Sequence, residues 1–305
     1  MTTNNAETSE DLPPVAWIGI GKMGLPIAVR LAAAGVSLVA YDRDPARMNL
    51  AAEHGIDIAP SPVEAVASRR VIFTSLPDDA AIYAAILSPT GLLSKLAPGS
   101  ILVETSTISV EASSAIDDAA TARGISYLRV PVSGNAAIAH TGELTCFVSG
   151  PKSAFERVQP LLNAYTYAQI YLGESEEARF AKLAVNLMIG VSAAMMAESL
   201  ALARKGGVAW HDILAVLDSS AASSPMVKSK TPQLARRDFN STFSCRQMVK
   251  DLDLILSAGH RAGVPLQLAA QVRELYGSLV AQGHGDSDYI ASVRHVERLS
   301  GLDEP

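Results

Sequence analysis

Cysteine is nearly absent: Cys146 and Cys245 are the only two in 305 residues, far apart, with no CxxC pair and no zinc-ligand spacing. That excludes a disulfide-stapled scaffold and reads as a reduced intracellular protein, with a cytoplasmic location expected. His54, His140, His211, His260, His284 and His295 form no HExxH or other metal-ligand pattern, so no metal is expected. Basic runs are missing too. Lys and Arg number 25 against 31 Asp and Glu, a formal charge of −6, which argues against nucleic acid as a partner. No apolar run reaches the roughly 18 uninterrupted residues of a membrane span. The nearest approach, 180–203, is broken by Lys182, Asn186, Ser192, Glu198 and Ser199, so no membrane partner is expected. Residues 1–14 have neither a positive n-region nor an apolar h-region and read as a disordered leader.

What remains is the composition of an ordinary soluble enzyme, 49% hydrophobic and 18% charged, with length for two domains. The first apolar run, Val15–Ile18, leads into Gly19-Ile20-Gly21-Lys22-Met23-Gly24, and Asp42 closes the second run 18 positions later. A glycine triplet alone is weak and occurs as a turn in other α/β proteins. Placed after a strand, before a helix and ahead of a carboxylate, it is the dinucleotide-binding fingerprint. Gly19 permits the tight turn, Gly21 lets backbone approach a pyrophosphate, and Gly24 lets the helix pack on the strand. The helix N-terminus offers N–H groups to the anion.

The first half alternates strands and helices, as in a parallel sheet covered on both faces. Strands are expected at 36–41, 71–75, 101–104, 125–130, 144–149 and 164–172, with a loop over Pro131–Gly142. Asp44 followed by Pro45, and Ser61 followed by Glu64, read as helix caps. The loops Leu76-Pro77-Asp78 and Thr105-Ser106-Thr107 follow strands at the sheet's carboxyl edge, where ligands collect. After Gly173 strand signals stop. A helix of roughly 30 residues, on the order of 45 Å long, is expected from Glu176 to about Lys205. Shorter helices follow, with breaks near 219–224, 237–242, 263–265 and 283–286. The expected fold is thus α/β: an N-terminal Rossmann-type doubly wound sheet over 15–173 and an all-helical substrate and dimerisation domain over 174–305, joined by a long central helix.

With these blocks in order, Gly19–Gly24, Pro131-Val132-Ser133-Gly134-Asn135, Lys182-Leu183-Ala184-Val185-Asn186 and Lys250-Asp251-Leu252, the chain resembles the β-hydroxyacid dehydrogenase family from Val15 to about Leu299. This is the 3-hydroxyisobutyrate dehydrogenase and semialdehyde reductase group, with a 6-phosphogluconate dehydrogenase-like architecture. The resemblance implies an NAD(P)-dependent oxidoreductase interconverting a small 3-hydroxy acid and its semialdehyde, with the active site in the cleft between the domains. Lys182 would be the catalytic acid/base. Spacing alone also allows a solvated lysine on an amphipathic helix, since K-x-x-x-N pairs are common. A lysine serves in this role when burial and a nearby cation draw its pKa toward the working pH. Asn186 falls on the same face one turn later. Ser133, Gly134 and Asn135 would hold the substrate carboxylate, with Lys250 beside substrate and nicotinamide. Lys22, Met23, Leu76, Pro77 and Thr107 would contact the cofactor.

Asp42 favours NAD, since a carboxylate there accepts from both ribose hydroxyls and repels a 2′-phosphate. Arg43, next to it, and Arg47, a turn into the following helix, leave NADP open. Three departures from the family pattern put the substrate in doubt. Arg129-Val130-Pro131 stands for Asp-Ala-Pro, Asn135 for a second glycine, and Glu176-Glu177-Ala178 for Gly-x-Gly. Arg129 reads as a surface arginine at a strand end, with a carboxylate ligand as the alternative. Two other functions compete: an imine reductase, which usually carries Asp or Tyr at position 182, and a catalytically silent nucleotide-binding scaffold, which would have lost Lys182 and Lys250. The apolar helical domain leads to the expectation of a homodimer or homotetramer.

Overall fold

The computed structural model describes residues 12–303. Of the leader expected over 1–14, residues 1–11 lie outside the described residues. The chain forms two compact units, one running to Lys182 and one beginning at Leu183.

Among the described residues the first unit is built on nine strands. Six of them, β1 (Val15–Ile18), β2 (Leu38–Tyr41), β3 (Asp57–Ile58), β4 (Val71–Thr74), β5 (Ile101–Glu104) and β6 (Ser126–Arg129), run parallel in the order β3-β2-β1-β4-β5-β6. Strand β8 (Leu144–Ser149) is antiparallel to β6 and to the two-residue β7 (Val132–Ser133), and β9 (Thr166–Gly173) is parallel to β8. Helices α1 (Gly24–Ala33), α2 (Pro45–Glu53), α3 (Pro62–Val66), α4 (Asp79–Ile82), α5 (Val110–Thr121), α6 (Ala136–Thr141) and α7 (Lys152–Leu162) belong to this unit.

Alternate strand residues enter two separate cores. Val15, Trp17, Phe73 and Val103 join one, and Ala16, Ile18, Ile72 and Leu102 the other. Burial on both faces is why these strands read as unbroken apolar runs. Trp17 stacks on Phe73 with ring centroids 5.1 Å apart, worth about 0.5–1.5 kcal/mol beyond the area buried. Strand order reverses between β1 and β4, and the Gly19 turn lies at that switch point.

The segment 131–142, expected to be a loop, is structured instead. Val132 and Ser133 pair with Cys146 and Thr145, and Asn135 caps α6, which Gly142 ends in the left-handed conformation. Strands this short carry no period a sequence can show. The first compact unit runs to Lys182 and so takes in the opening turn of helix α8 (Glu177–Lys205), where Ala178 and Arg179 are buried.

The second unit holds the rest of α8 with α9 (Trp210–Ser219), α10 (Pro225–Ala235), α11 (Cys245–Ala262), α12 (Gln267–Leu279) and α13 (Ser292–Leu299). Helix α11 buries Cys245, Met248, Leu252 and Ile255, spaced for one face. Gly190 of α8 faces this side of α11: a Cβ there would meet the Met248 sulfur at 3.1 Å. By length and composition alone α8 is apolar enough to cross a membrane. The same test is met by the core helix of a globular protein, and α8 buries Ala193, Ala197, Leu200 and Ala201.

Both cysteines are fully buried, and burial pushes each thiol up to about 12, with the Asp288 charge adding to the effect at Cys245. We therefore expect neither to react with iodoacetamide at pH 8 in the folded protein, and both to react in urea. Mass spectrometry of alkylated samples checks this; rapid native labelling of either thiol would contradict it.

Candidate active site

The glycine turn is shaped by close backbone approaches. Gly19 has φ +101°, and a Cβ there would lie 2.2 Å from the Ser75 carbonyl oxygen. A Cβ on Gly24 would lie 2.0 Å from the Gly19 carbonyl oxygen, which also accepts from Trp17 Nε1 at 3.0 Å. Both neighbours are backbone and cannot swing aside. Helix α1 starts without a side-chain cap from Met23 and without an acidic residue in its first turn, a fit for an anionic group at its positive end. Lys22 beside it is exposed.

Asp42 is anchored. Its Oδ2 accepts from Ile20 N at 2.7 Å and its Oδ1 from Asp44 N at 2.9 Å, tying the end of β2 to the glycine turn. Arg43 is exposed. The guanidinium that faces the turn belongs to Arg47: a Cβ on Gly21 would meet its Nη1 at 3.1 Å. Arg47 also lies 4.0 Å from Asp42 and 3.5 Å from Asp44.

The loops after β4 and β5 are linked. Leu76 N donates to Ser106 Oγ at 2.7 Å, and Thr105 Oγ1 to the Thr74 carbonyl at 2.8 Å. Thr107 is half-buried and Pro77 exposed. In the expected substrate loop, Gly134 has φ +134°, and a Cβ there would reach Leu144 Cδ2 at 2.5 Å. Ser133 pairs with Thr145 in β8. The Asn135 side-chain oxygen is committed to capping α6, accepting from Ile138 N at 3.1 Å.

Lys182 and Asn186 lie one turn apart on α8 and are only 9% and 8% exposed. Asn186 Nδ2 donates to Asp251 Oδ2 at 2.6 Å, and Lys250 Nζ stands 3.1 Å from Asp251 Oδ1. Asp251, 1% exposed, holds the two polar residues of the helical unit that the sequence singles out. Although Asp251 sits inside one of the motif blocks, nothing local marks this contact, because its partner is 65 positions away.

Arg129 is not the surface arginine that its place at a strand end predicts: it is 1% exposed and donates to Glu176 and Asp117. Two of the departures from the family pattern, at 129 and 176, are therefore partners. A cavity of about 520 Å³ in the helical unit, lined by residues including His284, Arg294 and Arg298, contains none of the expected site residues. Among the described residues no three His, Cys, Asp or Glu side chains gather as a metal-binding group.

A parallel run of strands whose first member enters this turn, with a carboxylate anchored to it from the second, defines a dinucleotide-binding domain. Residues 14–173 match the family described as the NAD binding domain of 6-phosphogluconate dehydrogenase, and 177–296 the one described as NAD-binding of NADP-dependent 3-hydroxyisobutyrate dehydrogenase. The chain belongs to the β-hydroxyacid dehydrogenase family. It is 29% identical to the 2-(hydroxymethyl)glutarate dehydrogenase of Eubacterium barkeri over 289 residues, 94% of this chain and 96% of the relative. It is 28% identical to glyoxylate/succinic semialdehyde reductase 1 of Arabidopsis thaliana over 283 residues, 93% of this chain and 98% of the relative. The crystal structure of 3-hydroxyisobutyrate dehydrogenase from Salmonella typhimurium is similar with a TM-score of 0.85 at 27% identity, covering 93% of this chain and all 100% of that one. A nicotinamide cofactor and an oxidoreductase class come with this membership.

Proposed function

We propose that the protein interconverts a small 3-hydroxy carboxylate and its semialdehyde, using NAD, with Lys182 carrying the proton. The observation that carries this reading is a buried lysine and a buried asparagine one turn apart on α8, in a chain with a complete dinucleotide turn. A bound nicotinamide would supply the acceptor for the carbinol hydride in oxidation and the hydride donor in reduction. In oxidation the Lys182 amine removes the hydroxyl proton as the carbonyl forms. In reduction its ammonium gives that proton to the oxygen that the arriving hydride leaves negative. Asn186, held by Asp251, orients the substrate oxygen and the lysine. Ser133, with the backbone around Gly134 and the remaining polarity of Asn135, receives the carboxylate, and Lys250 adds positive charge. Relatives named for 2-(hydroxymethyl)glutarate and for glyoxylate and succinic semialdehyde support a small carboxylate as substrate.

The test is a screen of 3-hydroxyisobutyrate, glycerate, 4-hydroxybutyrate, serine and threonate, and of their carbonyl forms, with both cofactors. Turnover of at least one is expected. No change in nicotinamide absorbance with any of them would remove the reading.

The preference for NAD rests on Asp42. Desolvating its carboxylate against a phosphate dianion is costly, and Arg47 is already balanced by Asp42 and Asp44. Asp42→Asn keeps an oxygen for the Ile20 amide but loses the charge. Its ratio of kcat/KM for NADP over NAD should rise by about tenfold, the effect of removing roughly 1.4 kcal/mol of like-charge repulsion. An unchanged ratio, or an unsubstituted enzyme that already prefers NADP, would reject the assignment.

A further inference from the structure

Beneath the loops of the proposed site lies a reciprocal pair of buried ionic contacts. Arg129, closing β6, reaches to the segment that opens α8: its Nε and Nη2 donate to Glu176 Oε1 at 2.9 and 2.5 Å, and Nη2 to Asp117 Oδ2 at 2.9 Å. Arg179, in the first turn of α8, reaches the opposite way into the sheet. Its Nη2 donates to Glu104 Oε2 and to the Tyr127 hydroxyl at 2.9 Å, and its Nη1 to the Ser106 carbonyl at 2.6 Å. The Ser113 hydroxyl on α5 accepts from Nε of both arginines, at 3.2 and 3.3 Å. Burial by itself would lower the Arg179 pKa, but Tyr127 and Glu104 beside it raise it above the ordinary value. Tyr127 is itself pushed up, chiefly by burial, so a neutral phenol accepts from Arg179.

Two guanidinium groups at 1% exposure and a carboxylate at 0% are an expensive way to hold a sheet together. Apolar side chains of similar volume often do as well or better. Position is what this arrangement supplies. The second oxygen of Glu104 accepts from Ser106 N at 2.7 Å, and Ser106 Oγ accepts from Leu76 N at 2.7 Å. Both cofactor-side loops, through Leu76 and through Ser106 next to Thr107, are thus registered against one carboxylate. The arginine that completes that carboxylate stands three residues before Lys182.

We propose that Glu104 and Arg179 are positioning residues for hydride transfer: they hold the Leu76 and Thr107 loops and the Lys182 turn in one register. This rests on the function proposed above. A lysine at 179 keeps the charge but loses the planar fork that spans Ser106, Glu104 and Tyr127 together. A glutamine at 104 keeps the shape and loses the charge.

Glu104→Gln and Arg179→Lys in the full chain test it by two readouts. In amide hydrogen exchange, Leu76 and Ser106 should lose protection by about tenfold or more while the strands keep theirs. In turnover, kcat should fall by about 10²-fold, the cost of a displacement near 1 Å, with KM little changed. The deuterium isotope effect from substrate labelled at the carbinol carbon should rise as hydride transfer becomes limiting. A network that only stabilises would lower Tm and the active fraction but move neither the isotope effect nor the two amides, and that result overturns the proposal. Lost protection with an unchanged kcat also overturns it. If Glu104→Gln does not fold, Arg179→Lys carries the same decision. An unsubstituted enzyme that turns over no hydroxy acid would overturn the functional reading and the catalytic half of the proposal, while the exchange result stands by itself.

Discussion

Lys182→Ala is expected to lower kcat by about 10²–10⁴-fold in both directions, the range for removing a positioned acid/base. Its Kd for NADH, from fluorescence titration, should stay close to that of the unsubstituted enzyme. Lys182→Arg separates proton transfer from charge: it keeps a cation on α8, yet a guanidinium does not give up its proton in the working range. Loss of turnover in both variants supports proton carriage. Activity in Lys182→Arg with loss in Lys182→Ala would mean the cation only stabilises a negative oxygen. Small primary amines added to Lys182→Ala should restore part of the rate. Turnover within about tenfold of the unsubstituted enzyme in Lys182→Ala would remove the lysine from the mechanism.

Lys230→Met should be the most damaging of the lysine replacements for stability, at about 3–5 kcal/mol, because it leaves a buried carboxylate without its counter-charge. Lys230 is 4% exposed and donates to both oxygens of Asp288 at 2.9 Å, to Thr242 Oγ1 at 2.8 Å and to Gln233 Oε1 at 3.0 Å. Asp288, at 0% exposure, also accepts from the backbone of Thr242 and Ile290, so it pins α10 and the segment before α11 to the chain ahead of α13. Adding Asp288→Asn to Lys230→Met should recover much of the loss, since the charge goes while an acceptor for those amides remains. Urea unfolding followed through Trp210 in α9 reads this unit. A loss below about 1 kcal/mol in Lys230→Met would show the pair to be solvated.

The two lysines show what a sequence can and cannot disclose. Lys182 stood out because a neighbour at helical spacing and a recognisable block surrounded it. Lys230 is more buried, but its main partner is 58 positions away, and nothing local marks it. The same division runs through the fold. Strands β1, β4 and β5 were legible because burial on both faces leaves continuous apolar runs. The caps at Asp44 and Ser61 were legible because their partners, Ala46 and Glu64, lie within one turn. The two-residue β3 and β7 were not, having no length in which to alternate. Arg129 was misjudged because an arginine at a strand end is usually solvated, and only the folded chain brings Glu176 to it. For the candidate site, the cofactor turn and the Lys182–Asn186 pair were local patterns. The Asp251 tether and the Glu104–Arg179 contacts were not, spanning 65 and 75 positions.

Asp42 joins two tasks in one side chain, and that has an evolutionary consequence. The carboxylate proposed to choose between the dinucleotides also closes the glycine turn through the Ile20 amide. A lineage drifting toward the phosphorylated cofactor by Asp42→Ala or Asp42→Gly would therefore unfasten the turn as it changed preference. Amide or hydroxyl replacements, which keep an oxygen in place, are the open route. Descendants with altered preference should carry Asn, Ser or Thr at this position far more often than Ala or Val.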